Sequence, residues 1–192
     1  MKLLLDDAEP ERIRQCFECF PLDGITIQNA STETIKKIRD FLGGDRELHV
    51  PIEVSRAEDI VVEAERIFDR LGLNTYISIP VTGEGLKAMK ILLETSEVCF
   101  TASEIHTPMQ AVMAGKCGAS YVMPFVNRLD SRNAIELVKR MYDALNRNGL
   151  ETEIIAMHFK TSRQASELCE YGIGAAIPPS MLPSLIANEH DV

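Results

Sequence analysis

Eight short β-rich runs, the first seven each followed by a stretch of helical spacing, constrain this chain more than any other feature. The runs fall at 2–5, 24–27, 47–54, 75–79, 97–101, 120–123, 153–157 and 174–177. Between them apolar residues recur at i, i+3 and i+4, as in Ile13, Cys16, Phe17 and Phe20, in Ile60, Ala64, Ile67 and Leu71, and in Ile135, Val138, Tyr142 and Leu145. Helix punctuation agrees. Ser55-Arg56-Ala57-Glu58, Thr107-Pro108-Met109-Gln110 and Thr161-Ser162-Arg163-Gln164 each read as a capping box. In such a box the hydroxyl accepts from a free backbone N–H, and the acidic or amide side chain reaches back. Gly149 and Gly172 suit the left-handed position that ends a helix.

Alternating strand and helix with nearly continuous apolar strands predicts a parallel sheet. Eight repeats predict its closure into a compact α/β structure, a (β/α)8 TIM barrel, with all of 1–192 as one domain. An open doubly wound sheet is the alternative, and no G-x-G-x-x-G follows the first strand to support it. The chain is shorter than the roughly 250 residues usual for this barrel, which predicts short loops and no inserted domain.

Composition narrows the function classes. Hydrophobic residues make up 45% and charged residues 26%, an ordinary globular balance. A net charge of −9 leaves no basic footprint for nucleic acid as a partner. The leucines after Met1-Lys2 are too few for a secretory core. No run approaches the roughly 20 apolar residues of a membrane span. Together these predict a cytoplasmic protein, no membrane partner, and reduced cysteines. Cys16 and Cys19 form a C-x-x-C inside a helical pattern, without a second pair to complete a zinc site, so Cys16 reads as core. No metal and no cofactor is expected.

In barrels of this kind the site lies at the C-terminal ends of the strands. That rule selects Asp6 and Asp7, then Thr26 and Gln28, then Glu53 and Ser55, then Ser78 and Thr82. Ser103, Glu104 and His106 follow the fifth strand, Phe125, Asn127 and Arg128 the sixth, and His158 and Lys160 the seventh. His49 and His190 read as incidental.

Several of these segments resemble one family, the small transaldolases and fructose-6-phosphate aldolases of carbohydrate metabolism. Met1 to Asp6 with Pro21-Leu22-Asp23-Gly24-Ile25-Thr26 is similar to that family's opening. Ile79-Pro80-Val81-Thr82-Gly83-Glu84-Gly85-Leu86 is similar to the segment after its fourth strand. The stretch at 118–130, with Pro124-Phe125-Val126-Asn127-Arg128, resembles its sixth strand and loop. Phe159-Lys160-Thr161-Ser162-Arg163-Gln164 and Ile177-Pro178-Pro179 resemble its seventh and eighth strands. The resemblance runs over essentially the whole chain. It implies an aldolase chemistry in which a lysine on the fourth strand forms an imine with the substrate carbonyl, an electron sink for carbon–carbon cleavage.

Carried over residue by residue, the resemblance makes Asp6 the proton-handling aspartate, with capping of a turn as its structural alternative. Thr26 matches a sugar-binding position. Arg128 matches the phosphate-binding arginine, whose fork suits phosphate oxygens, with pairing to Asp130 as the alternative. Lys160 matches a basic phosphate-side position, and Ser103 replaces a threonine that orients water. Phe125 stands where transaldolases keep a phenylalanine.

The departures cluster in the same region. Ser78 occupies the lysine's place, and no lysine lies between Arg70 and Lys87. Gln28-Asn29 replaces asparagine-proline, His158 replaces a serine, and Pro51 falls where a water-holding side chain is expected, with Glu53 of the same strand parity as its substitute. Three readings follow. In the first, a pseudoenzyme binds a sugar phosphate without imine chemistry. In the second, a divergent enzyme uses Lys160 as a relocated nucleophile, or Asp6, Glu53, His106 and His158 for acid–base work as an isomerase or epimerase, or for a divalent metal. In the third, the barrel is an interaction scaffold. The family's C-terminal helix between subunits is missing before Val192, which leaves a homo-oligomer open as an expectation.

Overall fold

A computed structural model describes residues 1–129 and 133–187. Asp130 and His190 therefore lie outside the described residues. The elements run β1 (Leu3–Asp6), α1 (Pro10–Cys19), β2 (Gly24–Thr26), α2 (Thr32–Leu42), β3 (Glu47–Pro51), α3 (Ala57–Leu71), β4 (Thr75–Pro80) and α4 (Gly83–Thr95). They continue with β5 (Cys99–Ser103), α5 (Pro108–Lys116), β6 (Tyr121–Met123), a 3-10 turn (Val126–Arg128), α6 (Ala134–Arg147), β7 (Glu153–Ala156), α7 (Ser162–Glu170), β8 (Gly174–Ile177) and α8 (Leu182–Ile186). The eight strands pair in parallel in chain order, and β8 pairs with β1 to close the barrel. The TIM barrel expected from the strand count is the observed fold.

Strand alternation divides the apolar residues into two cores. Leu5, Ile25, Leu48, Ile77, Ile79 and Val122 face outward into the large core beneath the helices. Leu4, Tyr121, Met123, Phe125, Ile155, Met157 and Ala176 fill the lumen. Cys16 is buried in the outer core, as its helical spacing implies. Gly85 lets α4 close on β4, since a Cβ there would lie 2.0 Å from the Pro80 carbonyl oxygen.

Some local expectations shift. β5 spans Cys99–Ser103 rather than 97–101, because its partner strand sets the register, with Tyr76 opposite Cys99 and Pro80 opposite Ser103. β3 ends at Pro51, where proline has no N–H to continue the ladder. The box at Ser55 does not form. α3 begins after Arg56, which makes no side-chain cap, and the Ala57 N–H donates instead to Glu84 of α4 at 2.8 Å. The Thr107 box forms with both bonds. At α7, Thr161 caps Gln164, while the Gln164 side chain accepts from the Lys160 N–H one residue upstream of the cap. Gly149 and Gly172 adopt φ of 63° and 80° after α6 and α7, as expected.

The floor of the lumen holds a polar network that corrects the reading of His49. This histidine is fully buried, 2.8 Å from the Thr101 hydroxyl, stacked on Tyr76 and 3.5 Å from Glu47. Glu47 also accepts from the Tyr121 hydroxyl at 2.9 Å and pairs with Lys2 at 2.7 Å. Burial alone would raise the Glu47 carboxyl. Bonds from His49, Lys2 and Tyr121 outweigh it and pull the group down to about 2. Burial pushes the His49 imidazole below its ordinary value against the opposing pull of Glu47. A buried carboxylate with this many donors is fully satisfied, and it closes the N-terminal end of the lumen.

Candidate active site

The C-terminal mouth is built from residues one step above the packed lumen. Leu4 faces inward, so Asp6, two residues on, faces inward as well. By the same parity Thr26 projects from β2, Ser78 from β4 and Ser103 from β5, while Gln28 follows two residues after the end of β2. Thr26 lies beside Asp6 in the sheet, Ser78 lies between Pro51 and Thr101, and Ser103 lies between Pro80 and Met123. Thr26, Ser78 and Ser103 are buried, at 1%, 9% and 8% exposure. Gln28 reaches across the mouth, with its amide nitrogen 3.7 Å from the Met157 sulfur.

The two adjacent aspartates divide their work. Asp7 accepts from the Ala8 and Glu9 backbone N–H groups and pairs with Arg12. It is the turn-capping carboxylate that leads into α1. Asp6 is thereby left to the lumen, its side chain only 13% exposed. Burial pushes its carboxyl up to about 6, with a Gln28 hydrogen bond opposing and the Asp7 charge adding to the rise.

His158 comes to the same spot by a different route. Ile155 and Met157 both face the lumen, so continued alternation would send His158 outward. Its backbone adopts φ of 57°, the left-handed region that costs a residue with a Cβ roughly 1 kcal/mol. That break turns the imidazole back over the mouth, where Nε2 lies 3.7 Å from Asp6 Oδ2 and the ring packs 4.8 Å from Phe125. Burial, and then the charge of Arg128, lower the imidazole below its ordinary value. Arg128 leaves the 3-10 turn to lie 4.9 Å from the centre of the Phe125 ring, and it donates to Glu104 at 3.1 Å. Glu104 is also left-handed, at φ of 58°. Asp6, His158, Phe125, Arg128 and Glu104 thus form one contiguous rim from β1 and from the loops after β5, β6 and β7.

Other candidates stand apart from this rim. Thr82 is spent capping α4, with its hydroxyl accepting from Gly85. His106 is exposed, in the loop before α5. Lys160 is exposed, and its backbone N–H is held by Gln164. Glu53 lies beyond the end of β3, so strand parity does not apply to it. It lines a cleft of about 730 Å³ between α2 and α3, beside the mouth rather than over Asp6. Gln28, Asn29 and Pro51 join that cleft to the mouth, and Lys36 of α2 lies on its wall. The strand-end rule missed Lys36 because it belongs to a helix, although the apolar spacing of that helix from Ile35 to Ile38 gives its outward register. It also missed Thr101, which lies directly opposite Ser78 in the sheet and whose hydroxyl meets His49. Among the described residues no three His, Cys, Asp or Glu side chains converge as a metal ion requires, and no helix is long and apolar enough to cross a membrane.

Comparison with known proteins gives this rim a setting. The family model described as transaldolase/fructose-6-phosphate aldolase matches residues 26–191. A protein of Hydrogenobaculum sp. (strain Y04AAS1) named "Probable transaldolase" is 34% identical, over 98% of this chain and 90% of its own length. A protein of Streptococcus pneumoniae (strain ATCC 700669 / Spain 23F-1) named "Probable fructose-6-phosphate aldolase" is 28% identical, over 91% of this chain and 83% of its own. Among solved structures, a mandelate racemase/muconate lactonizing enzyme-like protein from Rubrobacter xylanophilus DSM 9941 superposes with a TM-score of 0.64 at 14% identity. That match takes in 93% of this chain and 56% of the other, so the chain spans little more than half of that protein. A structure described as native KDPGal superposes with a TM-score of 0.64 at 15% identity, over 91% and 80% of the two chains. At such identities the structural likeness shows the barrel alone.

Proposed function

The chain belongs to the transaldolase/fructose-6-phosphate aldolase family, and from that premise we propose that it binds a sugar phosphate in the barrel mouth without forming an imine. The observation that carries this reading is Ser78. It sits buried in β4 between Pro51 and Thr101, at the position the resemblance gives to the family's lysine, and a hydroxyl cannot condense with a carbonyl to give an iminium electron sink. The binding groups persist around it. Asp6, Thr26, Gln28 and Ser103 offer hydrogen bonds to a polyol, and Arg128 offers a guanidinium fork to a phosphate, with Lys160 as a second cation on that side. Phe125 and His158 supply the flat wall against which a sugar carbon chain rests. A small sugar phosphate in the cytoplasm is the proposed partner, with no cofactor required.

Relocated imine chemistry has less support. Lys160 is exposed, and Lys36 lies on the neighbouring cleft. The test pairs calorimetric titration of fructose 6-phosphate with borohydride trapping read by intact mass. Binding without an added mass is expected, and Arg128→Gln should weaken that binding by 10-fold or more, about 1.4 kcal/mol. A trapped adduct would sink the claim of lost imine chemistry, and peptide mapping would then assign it to Lys160 or Lys36.

A further inference from the structure

We propose that Asp6 and His158 act as an acid–base pair that moves a proton between the adjacent carbons of an α-hydroxycarbonyl phosphate, so that the site enolises and isomerises its ligand. This inference rests on the phosphosugar reading above and adds a reaction to it. Four observations carry it. The first is the 3.7 Å separation of Asp6 Oδ2 and His158 Nε2. It is too long for a hydrogen bond, so neither group is spent on the other, yet the two side chains meet at the barrel mouth. The second is the left-handed backbone of His158, which breaks the strand alternation and brings the imidazole over the lumen. Strain of this kind at a mouth residue points to a role for the side chain it aims. The third is Ala176. It is paired with Leu4, so this short side chain packs the lumen in the layer directly beneath the carboxylate and the imidazole. The fourth is the anchor. Arg128 lies against Phe125, which also packs on His158, so a phosphate held by the guanidinium brings the neighbouring carbons over the pair.

The step balances without a further reagent. The Asp6 carboxylate removes the carbon-bound proton next to the carbonyl. The C–H electron pair becomes a carbon–carbon double bond, and the carbonyl π pair moves to oxygen, which takes a proton from the N–H of His158. An enediol results. His158 then recovers a proton from the neighbouring hydroxyl, a carbonyl forms there, and the Asp6 carboxylic acid delivers its proton to the other carbon. Ketose and aldose interconvert with both residues restored. The electrostatics suit these roles. A carboxyl near 6 is ionised at neutral pH and is a stronger base than an ordinary aspartate. An imidazole lowered by burial and by Arg128 stays neutral and keeps one N–H to donate. Glu104, which pairs with Arg128 at 3.1 Å, is the group a phosphate would displace.

Deuterium exchange tests the pair. The protein is incubated in deuterium oxide with fructose 6-phosphate and with dihydroxyacetone phosphate, loss of the proton signal beside the carbonyl is followed by proton NMR, and binding is titrated in parallel. Exchange above a protein-free control is expected with at least one probe. Asp6→Asn and His158→Gln should each lower it about 100-fold or more, with affinity changed less than 10-fold. His158→Gly, which relieves the left-handed backbone, gives a folded second variant with the same expected loss. The wild-type rate should rise through about pH 6 as Asp6 ionises, with Asp7, Gln28 and His158 the groups facing it and Arg128 the charge acting on His158. Binding without exchange overturns the proton transfer and leaves the binding reading standing. No binding to either probe overturns both. Exchange that persists in Asp6→Asn or in the His158 variants overturns the assignment to this pair.

Discussion

Glu47 at the floor of the barrel and Asp6 at its mouth are carboxylates of one lumen, on strands separated only by β2, yet they hold their protons in opposite senses. Glu47 receives bonds from Lys2, His49 and Tyr121 and is pulled down to about 2. Asp6 meets Gln28 and a non-bonded imidazole and is pushed up to about 6. Both are largely desolvated, so burial alone does not separate them. The number of donors aimed at each does. The Glu47 network rises from regular strand residues, although left-handed Asn74 precedes β4 at the same end, while the mouth carries left-handed Glu104 and His158. The Glu47 carboxylate is satisfied. The Asp6 and His158 pair is under-bonded, the condition expected where chemistry is done.

The most forceful way to break this comparison is Glu47→Ala. It leaves Lys2, His49 and Tyr121 without their acceptor and should cost about 3–5 kcal/mol in urea denaturation. A loss under about 1 kcal/mol would mean that the floor is not a satisfied network. Asp6→Asn should act in the other direction. A raised carboxylic acid stabilises the fold below the ordinary value of 3.8, and that contribution is lost as pH rises through about 6. The variant should therefore be more stable than the wild type at pH 7, by about 1–2 kcal/mol, and no more stable at pH 3. An equal effect at both pH values would remove burial of the charge as the cause. The smallest expected effect is that of Glu104→Gly. Relief of a φ of 58° should stabilise the chain by about 0.5 kcal/mol in thermal or urea unfolding, partly offset by loss of the Arg128 pair. A destabilisation would show that Glu104 does more for the fold than its strain costs.

Much of the fold is legible in the chain. Eight β-rich runs locate the strands, and the strand-end rule puts Asp6, Thr26, Ser78 and Ser103 at the mouth before any coordinate is known. The absence of any lysine between Arg70 and Lys87, and so from the fourth strand, is also plain from the sequence. The site is less legible. Which of two neighbouring aspartates caps the turn depends on where Arg12 and the Glu9 N–H fall once α1 has formed. The helical capping signal at Ser55 is outcompeted by Glu84, 27 residues on from the Ala57 N–H it accepts, which only packing brings near. Glu53 lies past the end of β3 and lines the neighbouring cleft, a position that strand parity does not give.

By itself the sequence determined the barrel and the strand ends that form its mouth, because residue pattern and identity are local properties that the chain carries everywhere. Only the tertiary structure decided that His158 turns inward against its strand parity to face Asp6, and that His49 completes a buried network with Glu47, Tyr121 and Thr101. Those outcomes depend on one backbone angle and on distances between residues up to 152 positions apart, as for Asp6 and His158. Closure of the sheet sets such distances, and no periodic pattern encodes them.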